Sequence, residues 1–107
     1  MLNDWVKVAK VSNLRDPDMM VVNAGKNEIL LAKVNGVYYA INNVCSHAYA
    51  MLDQGTLHAD ALEVECPLHE SYFHLETGAA RHPPAEEPVA TYGVKVEGDD
   101  ILVGPKA

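Results

Sequence analysis

A chain of 107 residues, 49% hydrophobic and 21% charged, is long enough for one hydrophobic core and too short for two. Eight basic against fifteen acidic residues give a net charge of −7, which sets nucleic acid aside as a partner, since phosphate backbones are held through accumulated positive charge. No apolar run is long enough to span a bilayer, and Met1-Leu2-Asn3-Asp4 lacks the basic-then-apolar layout of an export signal, so a cytoplasmic protein without a membrane partner is expected.

The first forty residues read as short strands. Trp5-Val6-Lys7-Val8 alternates, Met20-Val21-Val22 is a short apolar run, residues 28–34 are apolar enough for a buried strand, and 37–41 continue the pattern. Between the last two lies Asn35-Gly36, a strong hairpin signal, because a type I′ turn needs positive φ at both central positions. Residues 42–61 show no sustained period, and a second irregular stretch at 78–88 carries Pro83, Pro84 and Pro88. Residues 89–97 and 101–103 then bracket Gly98-Asp99-Asp100 as a second hairpin. No long segment has a helical period, so an all-β protein is expected. A long irregular stretch in so small a domain is expected to be ordered by a function.

Both cysteines lie in that irregular middle, and each is closely followed by a histidine: Cys45-Ser46-His47 and Cys66-Pro67-Leu68-His69, with eighteen residues between His47 and Cys66. Two cysteines are too few for a disulfide framework. Thiolate and imidazole suit zinc or iron–sulfur clusters rather than magnesium or calcium, and two such loops supply four ligands, enough for one tetrahedral ion or one binuclear cluster. Structural zinc sites more often pair like ligands within each knuckle. With one Cys and one His in each loop, two cysteines can serve one metal and two histidines another, which favours an asymmetric binuclear cluster over a structural zinc module.

C-x-H, eighteen residues, then C-P-x-H resembles the signature of the Rieske [2Fe–2S] proteins. Met51-Leu52-Asp53-Gln54-Gly55 after the first loop resembles that family's apolar-then-glycine continuation. Tyr72-Phe73-His74-Leu75-Glu76-Thr77-Gly78 after the second resembles its aromatic-then-TG turn, and Pro83-Pro84 looks like its proline loop. Within the family, the length is similar to that of the ferredoxins of multicomponent aromatic-ring dioxygenases. The resemblance implies a single Rieske domain over 1–107, an antiparallel β-sandwich-like base with a cluster-binding subdomain inserted at about 42–88. It implies one [2Fe–2S] cluster, with Cys45 and Cys66 on the inner iron and His47 and His69 on the outer. It also implies a monomeric electron carrier, not itself an enzyme, that accepts electrons from a flavin-dependent reductase and delivers them to a terminal Rieske oxygenase. The small Rieske subunit of a larger reductase, such as a nitrite reductase, is the alternative. Ala50 and Leu68 stand where high-potential members carry a disulfide pair, and Glu70 stands where many relatives have glycine.

Of the remaining candidates, His58, His74 and His82 form no triad with carboxylates and read as surface or locally bonded residues. Ser71 is either a turn residue or a donor to a cluster sulfide, as in some relatives. Trp5 and Met19-Met20 read as core or edge packing.

Overall fold

The regular structure is almost entirely extended, in a computed structural model that describes residues 4–45, 50–68, 71–81 and 87–106. Six strands form the base: β1 (Val6–Lys10), β2 (Asp18–Ala24), β3 (Asn27–Val34), β4 (Val37–Asn42), β8 (Thr91–Glu97) and β9 (Asp100–Gly104). They pair antiparallel in the order β1-β9-β8-β4-β3-β2, and β1 packs against β2, so the sandwich-like base is one sheet curled towards a barrel. A second antiparallel sheet, β5 (Thr56–His58), β6 (Glu63–Glu65) and β7 (Tyr72–His74), falls between β4 and β8 in the chain.

Strand β3 explains how the two sheets meet. Successive side chains on a strand point to opposite faces. Ile29 and Leu31 enter the barrel interior with Val22, Ala24, Ala40, Tyr92, Ile101 and Val103. Leu30, Ala32 and Val34 face outward, and a second core forms there with Ile41, Leu52, Val64, Phe73 and Leu75. Burial on both faces is why 28–34 reads as a continuous apolar run instead of an alternating one. Each fully buried leucine or isoleucine of this strand contributes about 1.5–3 kcal/mol. The Met19-Met20 pair divides in the same way, one side chain against each core.

The turns follow their chemistry. Asn35 and Gly36 both have positive φ, at 52° and 81°, as a type I′ turn requires. Their amides donate to the two carboxylate oxygens of Asp16, at 2.9 and 2.7 Å. At the second predicted hairpin the turn is Gly98-Asp99 alone, and Asp100 already pairs with Glu97 in β9. A third hairpin, through Gly25 and Lys26, joins β2 to β3; the run at 20–22 gave no sign that β2 continues to Ala24. The expectation of an irregular 42–61 needs correcting, since β5 lies within it. Strands of three residues are too short to show a period. They are fixed instead by Leu57, Val64 and Phe73, which stand side by side across the small sheet and face the second core. The ends of the 78–88 stretch are tied by a hydrogen bond from Val89 N–H to the Gly78 carbonyl, 2.9 Å, while Pro83 and Pro84 lie outside the described residues. Among the described residues no helix is long and apolar enough to cross a membrane.

Candidate metal centre

Cys45 and Cys66 occupy matching positions on two hairpins. The first hairpin is closed by a bridge between Val44 and Met51 and by a hydrogen bond from Cys45 N–H to the Ala50 carbonyl, 2.9 Å. The second extends β6 and β7, whose last pair is Glu65 with Tyr72, and is closed by Cys66 N–H donating to the Ser71 carbonyl, 2.7 Å. In each case the cysteine amide donates to the residue five positions on. Both cysteines are buried, 4% and 1% exposed, both belong to the second core, and neither is in a disulfide. His47 and His69 lie outside the described residues, as does Glu70; in sequence the two histidines fall inside the stretches that these hydrogen bonds close.

Gly55 holds the hairpins together. A Cβ there would fall 1.8 Å from the Glu65 carbonyl oxygen and 3.2 Å from Pro67 Cδ, so only a glycine lets the chain leaving the first hairpin lie against the start of the second. Gly78 has φ of 76°, and a Cβ there would meet the Val89 carbonyl oxygen at 2.2 Å. Both glycines of the resembling motifs therefore answer to close backbone approach. Next to the second cysteine, Pro67 is exposed and Leu68 is 63% exposed.

The donor chemistry fits a mixed cluster. Two buried thiols at equivalent hairpin positions, each followed two or three residues on by an imidazole, match the Cys₂His₂ set of an asymmetric [2Fe–2S] centre. Among the described residues no group of three or more His, Cys, Asp and Glu side chains forms a metal site. His58 Nε2 lies 2.8 Å from Glu65 Oε1, and His74 Nδ1 accepts from the Glu76 amide at 3.3 Å, so both are locally bonded; His82 lies outside the described residues. The hydrogen bond from His58 is the main cause that holds the Glu65 carboxyl below its ordinary value of 4.5, against the opposing effect of desolvation. Sequence reasoning missed Asn43, which is fully buried two residues before Cys45.

The family model for the Rieske [2Fe-2S] domain matches residues 4–93. Over 75 residues the chain is 51% identical to the 3-phenylpropionate/cinnamic acid dioxygenase ferredoxin subunit of Escherichia coli (strain K12), a match covering 70% of each chain. In three dimensions it is similar to the ferredoxin of carbazole 1,9a-dioxygenase from Nocardioides aromaticivorans, with a TM-score of 0.91 and 40% identity over 97% of this chain and 100% of that one. It is similar also to a chain in a complex of reduced oxygenase and oxidized ferredoxin of carbazole 1,9a-dioxygenase, with a TM-score of 0.85 and 30% identity over 94% and 92% of the two chains.

Proposed function

The chain belongs to the Rieske [2Fe–2S] domain family and carries that family's cluster, and from that premise we propose that Cys45, His47, Cys66 and His69 hold it in an electron carrier of an aromatic-ring dioxygenase system. The observation that carries this reading is the pair of matched hairpins, each closed from its cysteine amide and together burying both thiols in one core. A Rieske cluster supplies a one-electron couple, at about −150 to +300 mV against about −400 mV for plant-type ferredoxins. The residues around it bind and insulate. Cys45 and Cys66 supply thiolates from an apolar interior that keeps water away, and His47 and His69 are the neutral donors. Ala50 and Leu68 leave no second covalent link between the loops, which favours the lower part of the Rieske range, suited to a flavin donor.

The same reading makes 1–107 a single Rieske domain with its cluster-binding part at about 42–88, supported by the place of the small sheet between β4 and β8. It makes the protein a cytoplasmic monomer that takes electrons from a flavin-dependent ferredoxin reductase and gives them to a terminal Rieske oxygenase. The named relatives support the oxygenase as the partner: one is a dioxygenase ferredoxin subunit, and another is a chain in a complex of reduced oxygenase and oxidized ferredoxin.

The test begins with ligation. Iron and acid-labile sulfide are expected in equal amounts, and the reduced protein should give a rhombic electron paramagnetic resonance signal of low average g with two imidazole nitrogen couplings. Cys45→Ser and Cys66→Ser should each lose the cluster, and His47→Cys should remove one nitrogen coupling. Two nitrogen couplings retained in His47→Cys, or a full cluster in Cys66→Ser, would overturn the ligand set. The carrier role is read by stopped flow: a flavin-dependent reductase reduces the protein, and a terminal oxygenase reoxidises it.

A further inference from the structure

Among the described residues only two polar side chains are fully buried, Asn43 and Ser71, and each lies at the base of one cysteine hairpin. Asn43 is bonded through both its side chain and its backbone. Its Nδ2 donates to Glu28 Oε1 at 2.8 Å and to Asp53 Oδ1 at 2.7 Å, and its Oδ1 accepts from the Asp53 amide at 2.9 Å. Its backbone N–H donates to the Glu28 carbonyl at 3.0 Å, and its own carbonyl accepts from the Leu52 amide at 2.7 Å. Five hydrogen bonds thus join three pieces of chain: β3 of the base at Glu28, the lead-in to Cys45, and the 3-10 turn Leu52–Gln54 that follows the hairpin. The far side of the turn is held too, since Gln54 Nε2 donates to Asp53 Oδ2 at 3.1 Å.

We propose that Asn43 is a positioning residue for the cluster: it clamps both ends of the first ligand hairpin to the base and so fixes Cys45 relative to Cys66. This rests on the reading of Cys45 and His47 as ligands. The side chain must be an asparagine because it offers two donors to two carboxylates and one acceptor to an amide in the same plane. An aspartate has no donor for Glu28 or Asp53 and adds a third negative charge beside them. A leucine of similar size leaves both carboxylates and the Asp53 amide without their buried partner. In either case the two carboxylates now held by one amide repel, and the turn at 52–54 is left tied to β3 through the backbone bonds of residue 43 alone. Cys45 follows, because its amide is tied to Ala50, two residues before that turn. Outer groups of this kind orient metal ligands without touching the metal.

The experiment uses the cluster-loaded protein in three variants, Asn43→Leu, Asn43→Ser and Asp16→Ala. The last breaks the clamp on the Asn35-Gly36 turn, in the base and away from the hairpins, and serves as a control for lost stability. The readouts are the thermal midpoint, the g values of the reduced protein, and the rate at which excess chelator bleaches the cluster at a temperature where every variant is folded. Both Asn43 variants are expected to bleach about tenfold to a hundredfold faster than wild type and to change the spread of g values. Asp16→Ala should lower the midpoint and leave g values and bleaching rate at wild-type levels. Should Asn43→Leu fail to accumulate, Asn43→Ser carries the comparison, since its small hydroxyl leaves room for water to bridge the carboxylates. Wild-type g values in an Asn43 variant, with bleaching no faster than in Asp16→Ala, overturn the proposal. Cys45→Ser run alongside separates the two readings: loss of its cluster with unaltered Asn43 variants removes only this inference, whereas a retained cluster removes the ligand assignment itself.

Discussion

Ser71 is fully buried where its carbonyl accepts the Cys66 amide, so its side chain sits at the root of the second ligand hairpin. Hydrogen bonds to cluster sulfur favour the reduced, more negative state and raise the potential. Ser71→Ala is therefore expected to lower the midpoint potential while the cluster still assembles; voltammetry giving an unchanged potential shows that the hydroxyl does not reach it. Tyr92, 8% exposed, is a second residue whose setting sets an expectation. Burial pushes its phenol above the ordinary 10.0. The unfolded chain then ionises first, so this contribution is full below pH 10.0 and is lost as pH climbs through the higher folded value. Tyr92→Phe removes the loss, and its alkaline unfolding midpoint, followed by circular dichroism, should move up with little change at neutral pH. At this scale the sequence was legible wherever chemistry marks a residue. Cys45 and Cys66 stand out because thiols are rare and reactive, whereas Asn43 looks like any loop asparagine until its burial and partners are seen.

Elements were legible in proportion to length and turn chemistry. β3 and β4 were found because Asn35-Gly36 names its own turn, and β8 with β9 because Gly98 lies between apolar runs. The strands β5, β6 and β7 gave no periodic signal, because three residues cannot carry one and their order comes from packing beneath the base. One contact that holds this small sheet to the chain leaving the first hairpin is Gly55 against the Glu65 carbonyl. Because the atom a Cβ would strike is backbone oxygen, no rotamer change relieves the clash, and the two hairpins must part. Gly55→Ala is expected to cost at least the ~1–3 kcal/mol of ordinary overpacking and to leave most of the purified protein without iron. Iron analysis giving full occupancy, with an unshifted thermal midpoint, would show that the close approach is dispensable.

Charge belongs to the whole molecule, and here the structure narrows what the sequence offered. Residues 42–90 contain eight acidic side chains and one basic one, Arg81. Among the described residues, Asp53 is engaged by Asn43, Glu63 by Arg81 at 3.8 Å, and Glu65 by His58. Asp60, Glu76 and Glu87 are exposed, and Glu70 and Glu86 lie outside the described residues. An acidic face keeps a small protein soluble whatever else it does, so acidity alone names no partner. A carrier that must meet two partners in turn gains from weak, steered, rapidly broken encounters, and steering needs charge close to the site of transfer. In sequence Glu70 follows His69 directly and Glu86 and Glu87 follow the proline pair, and Leu68, two residues before Glu70, is an exposed apolar side chain. A reductase and an oxygenase that present basic residues around their own redox sites complement this arrangement. The triple variant Glu70→Gln, Glu86→Gln, Glu87→Gln is then expected to be reduced more slowly by the reductase at low ionic strength and to lose most of its salt dependence. Near physiological salt, where screening acts over about 8 Å, the difference should shrink. Its cluster spectrum should match wild type, since none of the three is a proposed ligand. Stopped-flow reduction with wild-type rates and an unchanged salt slope would place the docking surface elsewhere and leave the acidity of this end as solvation alone.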